Sequence, residues 1–242
     1  VNLTKIGTLE DSLTTNAIKA VISGPINGTD IRYMRQLINE NNLQSIDLTD
    51  ARMVSGGLPF LQSYRASSNA IASHAFFECM NLVAIRLPKT ITKIDTQAFA
   101  NSGLREVTIP ESVTVIGEKA FSGCTSLTSI AIPDCVTEIG ERAFYRCKYL
   151  ASITIPDAVE TIGDNAFDTC TGLTEFTFPE KVTSVPNAVF NACANLEKVT
   201  LAPKTRKIGA VAFYECKKLK ELVLPESVTT VGEYAFAFCE AL

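Results

Sequence analysis

A 23-residue period constrains this chain more than any other property. Three consecutive copies read "IGEKAFSGCTSLTSIAIP" (116–133), "IGERAFYRCKYLASITIP" (139–156) and "IGDNAFDTCTGLTEFTFP" (162–179). The register is carried by Phe76, Phe99, Phe121, Phe144, Phe167, Phe190, Phe213 and Phe236. Every gap is 23 except Phe99 to Phe121, where "FANSGL" is one residue shorter than "FSGCTSL" in the turn where other copies have Cys. A small residue precedes each Phe, with Val189 as the odd one, and a leucine follows the Cys position, as at Leu127, Leu150 and Leu173. Self-similarity at this period is the mark of a solenoid, in which each copy contacts its neighbours and none folds alone.

Within a copy, Leu-x-x-Ile-x-Ile-Pro alternates apolar and small polar residues, as at Ile130 and Ile132 or Ile153 and Ile155. This is a strand signal. The proline ends the strand, since it cannot donate to a ladder. Val-x-x-Ile-Gly then predicts a second short extended segment facing back across the core, and the "ERAF" portion suits a helical turn. Gly117, Gly140, Gly163, Gly209 and Gly232 follow the second Ile. A positive φ would explain them, and Asp95 would tolerate it, but Pro186 at the same place would not. Either that rung bends differently or the glycine is there for want of a side chain. Stacked about 4.8 Å apart, the copies would share ladder hydrogen bonds and one continuous core of Phe, Leu and Cys.

Residues 1–70 are degenerate. "NLQSIDL" keeps Leu43, Ile46 and Leu48 in the strand frame and reads as an early rung; residues 17–24 read as a first strand. Between them "TDIRYMRQLINENN" predicts a helix, capped by Thr29 or Asp30, with Ile31, Met34, Leu37 and Ile38 on one face. The organisation expected is an N-terminal cap with degenerate first rungs over 1–70, a looped-out insertion at 50–69, and repeats over 71–242 that stop inside the last rung. Phe60 and Tyr64 of the insertion are expected either to tuck onto the core or to form a ligand-contacting loop. The chain starts at Val1 without a start methionine or signal peptide, as a mature or trimmed chain would, and ends at "CEAL" with no cap signature, so the full protein is expected to continue.

Composition narrows the function classes. The chain is 46% hydrophobic and 20% charged, as a folded protein is, and its net charge of −4 argues against a nucleic-acid partner, which usually needs a clustered basic face. No apolar run is long enough to span a bilayer. Eight cysteines tempt one to draw disulfides, seven of them in frame and Cys135 outside it. Equivalent side chains in a parallel stack point the same way, against the disulfide torsion, and no CxxC pair exists for zinc. The reading is buried small hydrophobes, with metal and disulfide roles as the alternatives. His74 stands alone, with no nucleophile–base arrangement around it. No glycine-rich loop fits phosphate, and no carboxylate pair stands out for acid–base work. Neither catalytic residues nor cofactor or metal ligands are assigned, and no enzyme activity is expected.

The sheet face carries the candidate site. Its outward rows include Arg86, Glu106, Thr108, Ser129, Ser152, Thr154, Glu175, Thr177, Lys198, Thr200 and Glu221, a broad and mostly Ser/Thr surface. Thr is a good strand former, so a solvated face is one reading; a recognition surface is the other. Lys198, Lys204, Arg206, Lys207, Lys217, Lys218 and Lys220 form a basic group interrupted by acids, read as a solvated rim. Phe77, Tyr145 and Tyr214, one step past the core Phe, flank the core at a turn edge.

The frame "IPxxVTxIGxxAFxxCxxLxxIxIP" resembles the leucine-rich repeats of the BspA-like, treponemal-class family of bacterial surface proteins, over roughly residues 71–242. "SGPINGTDIRYMRQL" resembles the N-terminal capping region of Bacteroides-type members. The resemblance implies a leucine-rich-repeat solenoid of the β-rich α/β class with a helix-bearing cap. It also implies a non-catalytic adhesion module, extracellular or on the bacterial surface, whose partners are host extracellular-matrix or cell-surface proteins. A lipid anchor would need a lipobox cysteine upstream. A monomer is expected. The alternatives are a spacer without a ligand and a glycan-binding accessory module, which would want exposed aromatics on the face.

Overall fold

The computed structural model describes the backbone of residues 1–242 and every side chain except that of Asn41. It is a solenoid of about nine rungs. The front row of strands runs Lys19–Val21, Ser45–Asp47, Ala84–Arg86, Glu106–Thr108, Ser129–Ala131, Ser152–Thr154, Glu175–Thr177, Lys198–Thr200 and Glu221–Leu222. A back row of shorter strands begins with Gly24–Ile26 paired to Ala51–Met53, and continues from Ala70–Ile71 through Lys93–Ile94 to Thr230–Val231. All pairings within both rows are parallel and in register, so Ile46 lies over Ile85 and Ile130 over Ile153. Like residues therefore stack in columns, and the apolar columns line one continuous core. The repeat thus folds as its period requires.

The front ladder is interrupted twice, after Glu106–Thr108 and after Ser152–Thr154. The first gap follows the short rung. There Ser102, buried, takes the place of the in-frame cysteine, so the missing residue lies beyond that position. Gly103 closes the shortened turn: a Cβ there would overlap the Met80 carbonyl oxygen. The second gap falls where Phe176 and Phe178, both buried, replace the smaller Ile153 and Ile155 of the preceding rung.

The segment expected as a helical turn is instead a run of β-turns. In one rung Ala143, Tyr145 and Cys147 donate their N–H groups back to Gly140, Arg142 and Phe144 at 3.1–3.2 Å. The alternate N–H groups, on Arg142, Phe144 and Arg146, donate to Asp164, Ala166 and Asp168 of the next rung at 2.8–3.0 Å. A helix would consume all six within the rung; here half of them bind the rungs together. The left-handed residues of this rung are Arg142 (φ 54°) and Arg146 (φ 59°), not the glycine. Gly140 serves a close approach: a Cβ would sit 2.6 Å from the Glu118 nitrogen. Pro186, at the equivalent place, has no N–H to match the bond from Gly209 to the Val185 carbonyl. A different link joins these two rungs: Asp164 accepts from both the backbone and the side-chain nitrogens of Asn187 at 2.9 Å.

At the N-terminal end α1 (Gly28–Asn41) stands between a back strand and a front strand, where later rungs place their turns. Ile31, Met34, Leu37 and Ile38 are buried on its inner face. Its cap is Asn27 rather than Thr29 or Asp30. The Asn27 side chain accepts from Thr29, and Asp30 accepts back from the Asn27 N–H, a reciprocal capping box. Within residues 50–69, expected to loop out, Ala51–Met53 is a back strand, and Gly56–Leu61 pairs antiparallel with Tyr64–Ala66 as a hairpin against the helix.

Candidate recognition surface

Alternation along each front strand decides what faces out. The central residue is inward, and its two neighbours point to solvent. Arg86, Glu106, Thr108, Ser129, Ser152, Thr154, Glu175, Thr177, Lys198, Thr200 and Glu221 are all exposed. Register brings them into two rows. Lys198 lies between Glu175 and Glu221, and bonds Glu221 at 2.9 Å. Arg86 lies beside Asp47 at 3.6 Å. Charge pairs thus close both ends of the face. Between them Ser129, Ala131, Ser152, Thr154 and Thr177 form a panel of small uncharged side chains.

A shallow groove crosses this panel at the second ladder gap, lined by Ser152, Thr154, Asp157, Glu175, Thr177 and Glu180 among others. Asp157 and Glu180 belong to an exposed carboxylate column with Glu111 and Asp134, one rung apart. None of these four makes an ion pair among the described residues, unlike the paired charges on the face. Stacked like charges disfavour the fold slightly, and give the lower rim of the face a negative edge.

The columns beneath make the surface stiff. Seven phenylalanine rings, from Phe76 to Phe213, are fully buried, and stack in near-parallel pairs such as Phe144 on Phe167 at 5.4 Å and 2°. The cysteines sit beside them and do more than fill space. Cys124, Cys147, Cys170, Cys193, Cys216 and Cys239 each donate S–H to the Phe carbonyl of the preceding rung at 3.0–3.2 Å. Alternation and spacing give no hint of this bond; the signal would have been that a weak donor, never Ala, recurs at the position. All eight thiols are free. Burial pushes Cys79 and Cys124 up to about 11, and holds Cys147, Cys170 and Cys193 well above the usual range, with the adjacent thiol adding to it. A buried thiol that is not thiolate is inert. A thiol-titrating disulfide reagent is expected to label exposed Cys135 at once, Cys239 more slowly, and the other six only on unfolding. Rapid labelling of a second in-frame cysteine would contradict the column.

The two insertion residues part company. Phe60 is buried, and Tyr64 is half-buried with its ring stacked on His74. The basic group is dispersed: Lys198, Lys217 and Lys220 pair with Glu221, Glu240 and Glu197, and Arg206 and Lys207 lie along the back row. At the turn edge Phe77 leans on His74, Tyr145 lies under Arg146, and Tyr214 meets Phe238 edge-on. Among the described residues no group of three or more His, Cys, Asp or Glu side chains could hold a metal, and no helix is long and apolar enough to cross a membrane.

Comparison with known proteins bears on this arrangement. A family model described as "BspA type Leucine rich repeat region (6 copies)" matches residues 62–171 and 137–242. A leucine-rich repeat protein of T. pallidum is 30% identical with a TM-score of 0.68, the match covering 78% of this chain and 87% of that one. A protein of Faecalibacterium prausnitzii described as a leucine rich cell surface protein is 25% identical (TM-score 0.53; 92% of this chain, 71% of that one). A leucine-rich repeat protein of Bacteroides ovatus shares the fold at 22% identity (TM-score 0.56; 92% of this chain, 65% of that one). No curated protein matches by sequence.

Proposed function

Because this chain belongs to the BspA-type leucine-rich-repeat family, we propose that it is a non-catalytic binding module whose front sheet is a preformed docking surface for a protein partner. The observation that carries this reading is the panel of small hydroxyl side chains over the phenylalanine column. A stiff surface with short side chains loses little conformational entropy when covered. The carboxylate column beside the groove favours a partner with Lys or Arg along the matching edge, so affinity falls as salt rises. Residues 1–70 serve as a cap with the degenerate first rungs of this body, and 71–242 as its repeats. The location that fits is the bacterial surface or its exterior, with host extracellular-matrix or cell-surface proteins as the partner class. The F. prausnitzii protein described as a cell surface protein supports that location.

The test is binding to a panel of immobilised matrix proteins, fibronectin and fibrinogen among them. Wild type is compared with Ser152→Arg/Thr154→Arg, which crowds the panel without touching the core. Saturable binding by wild type, weakened at least about tenfold in the variant, is the expected result. Equal affinities would place the contact elsewhere. No binding to any protein by wild type would favour a spacer.

A further inference from the structure

His74 is the chain's one histidine, and it stands where three elements meet. It holds a left-handed backbone (φ 62°) at the start of the first repeat turn, fixed there by its N–H bond to the Thr96 carbonyl at 3.1 Å. Its ring lies flat on Tyr64 of the hairpin, with centroids 4.0 Å apart and planes 19° apart, and tilts against Phe77 at 5.3 Å. Nδ1 is sealed from solvent and has no hydrogen-bond partner among the described residues. Behind it, buried Arg35 of α1 donates to the carbonyls of His74 and Ala75 at 3.3 and 3.1 Å.

The charged groups nearby are few. From the helix Arg35 acts on His74, and Arg32 is exposed. From the next rung comes the neutral side chain of Gln97, while Lys93 and Asp95 pair with each other. From the hairpin come the Tyr64 ring and Arg65, which is engaged by the Gly57 carbonyl at 2.6 Å. From its own turn Glu78 is exposed. A neutral imidazole leaves one nitrogen unpaired in this setting. An imidazolium must donate from both nitrogens, and here Nδ1 faces no acceptor while a guanidinium stands close by.

We propose that His74 is an acid-operated latch: its neutral ring clamps Tyr64 and with it the hairpin Gly56–Ala66, and protonation releases the hairpin from the first repeat turn. The ring has only one side that can yield. Phe77 and the His74 backbone belong to the rung ladder, whereas Tyr64 lies on the outer strand of an insertion whose other strand, with buried Phe60, is packed on the helix and stays there. Lifting the Tyr64 strand gives Nδ1 water and uncovers the face of the His74 ring that Tyr64 covers, so the module offers a different surface in acid. Burial, and then Arg35, hold the His74 pKa below its ordinary 6.5, against a raising bond from Gln97. The sign follows: the clamp is at full strength above 6.5 and is lost as pH falls below it.

With one histidine, the proton NMR titration of the ring reports this residue alone. Hydrogen exchange of residues 56–66, corrected for intrinsic rates, is compared at about pH 7.5 and pH 5.0 in wild type, His74→Gln and Tyr64→Ala. The expected result is a hairpin that opens several-fold more at pH 5.0 than at pH 7.5, up to a ceiling of about thirtyfold set by an open-state pKa of 6.5, with the repeats unchanged. His74→Gln abolishes the pH dependence, and Tyr64→Ala moves the ring's pKa up toward 6.5. Protection independent of pH in wild type would overturn the latch. So would equal pH dependence in His74→Gln, or an unmoved titration in Tyr64→Ala.

Discussion

In the stretch 1–242 taken by itself, Phe144→Ala is expected to lower the free energy of unfolding by about 3–5 kcal/mol, and the same change at Phe236 by roughly 1–2 kcal/mol. Both rings occupy the same column in the same frame, so local sequence does not distinguish them. Position in the stack does. Phe144 is fully buried between Phe121 at 5.6 Å and Phe167 at 5.4 Å, in near-parallel planes. Phe236 has one such neighbour, Phe213 at 5.4 Å, and is only partly buried. Truncation in the middle therefore opens a cavity against two rungs, which the ladder holds at fixed spacing and cannot collapse. Stability in a solenoid is a sum of rung and interface contributions; within residues 1–242 Phe144 enters two interfaces and Phe236 one. Urea unfolding followed by far-ultraviolet circular dichroism measures both. Equal losses at the two positions would mean that the column is not the unit of cooperativity.

The contrast between what was legible in the sequence and what was not has a physical origin. Columns are a property of period, and period is visible: the Phe register, the outward Ser/Thr rows and the buried cysteines all follow from a 23-residue repeat with alternating strands. Bonds between rungs depend on which backbone groups are left free, and no side chain announces that. The turn around Ala143 has a helix-like length, yet half of its N–H groups go to the next rung. The recurring glycine, Gly140 in this rung, suggests a positive φ, but the left-handed residue is Arg142, and the glycine answers a close approach from Gly117 and Glu118. Pro186 lacks the N–H its counterparts use, and the two rungs are linked beside it by Asn187 donating to Asp164, a side-chain bond that the period does not announce. The hairpin was hidden for a different reason. Residues 50–69 belong to no repeat, so neither period nor register could place Tyr64 on a histidine ten residues further along.

Asp30→Ala is expected to cost about 3–5 kcal/mol locally, because one buried carboxylate satisfies three backbone donors. Its Oδ2 accepts from Gly7 at 2.9 Å and Asn27 at 3.0 Å, and its Oδ1 from Leu9 at 3.0 Å. The side chain is 1% exposed. Alanine leaves these donors without an acceptor, removes half of the capping box, and takes a negative charge from the N-terminal end of α1, where the helix dipole favours it. Asp30→Asn retains one acceptor oxygen but turns an amide N–H₂ toward a backbone donor, so an intermediate loss is expected. The effect should stay at the N-terminal end. The segment around Leu9 is tied to the helix through Asp30, whereas rungs beyond Phe99 depend on their neighbours. Hydrogen exchange should rise over residues 1–41 in Asp30→Ala and remain at wild-type rates from residue 99 onward. Loosening spread evenly over all rungs would show that this end does not act as a separate cap. Unchanged exchange over residues 1–41 would show that water replaces the carboxylate without cost.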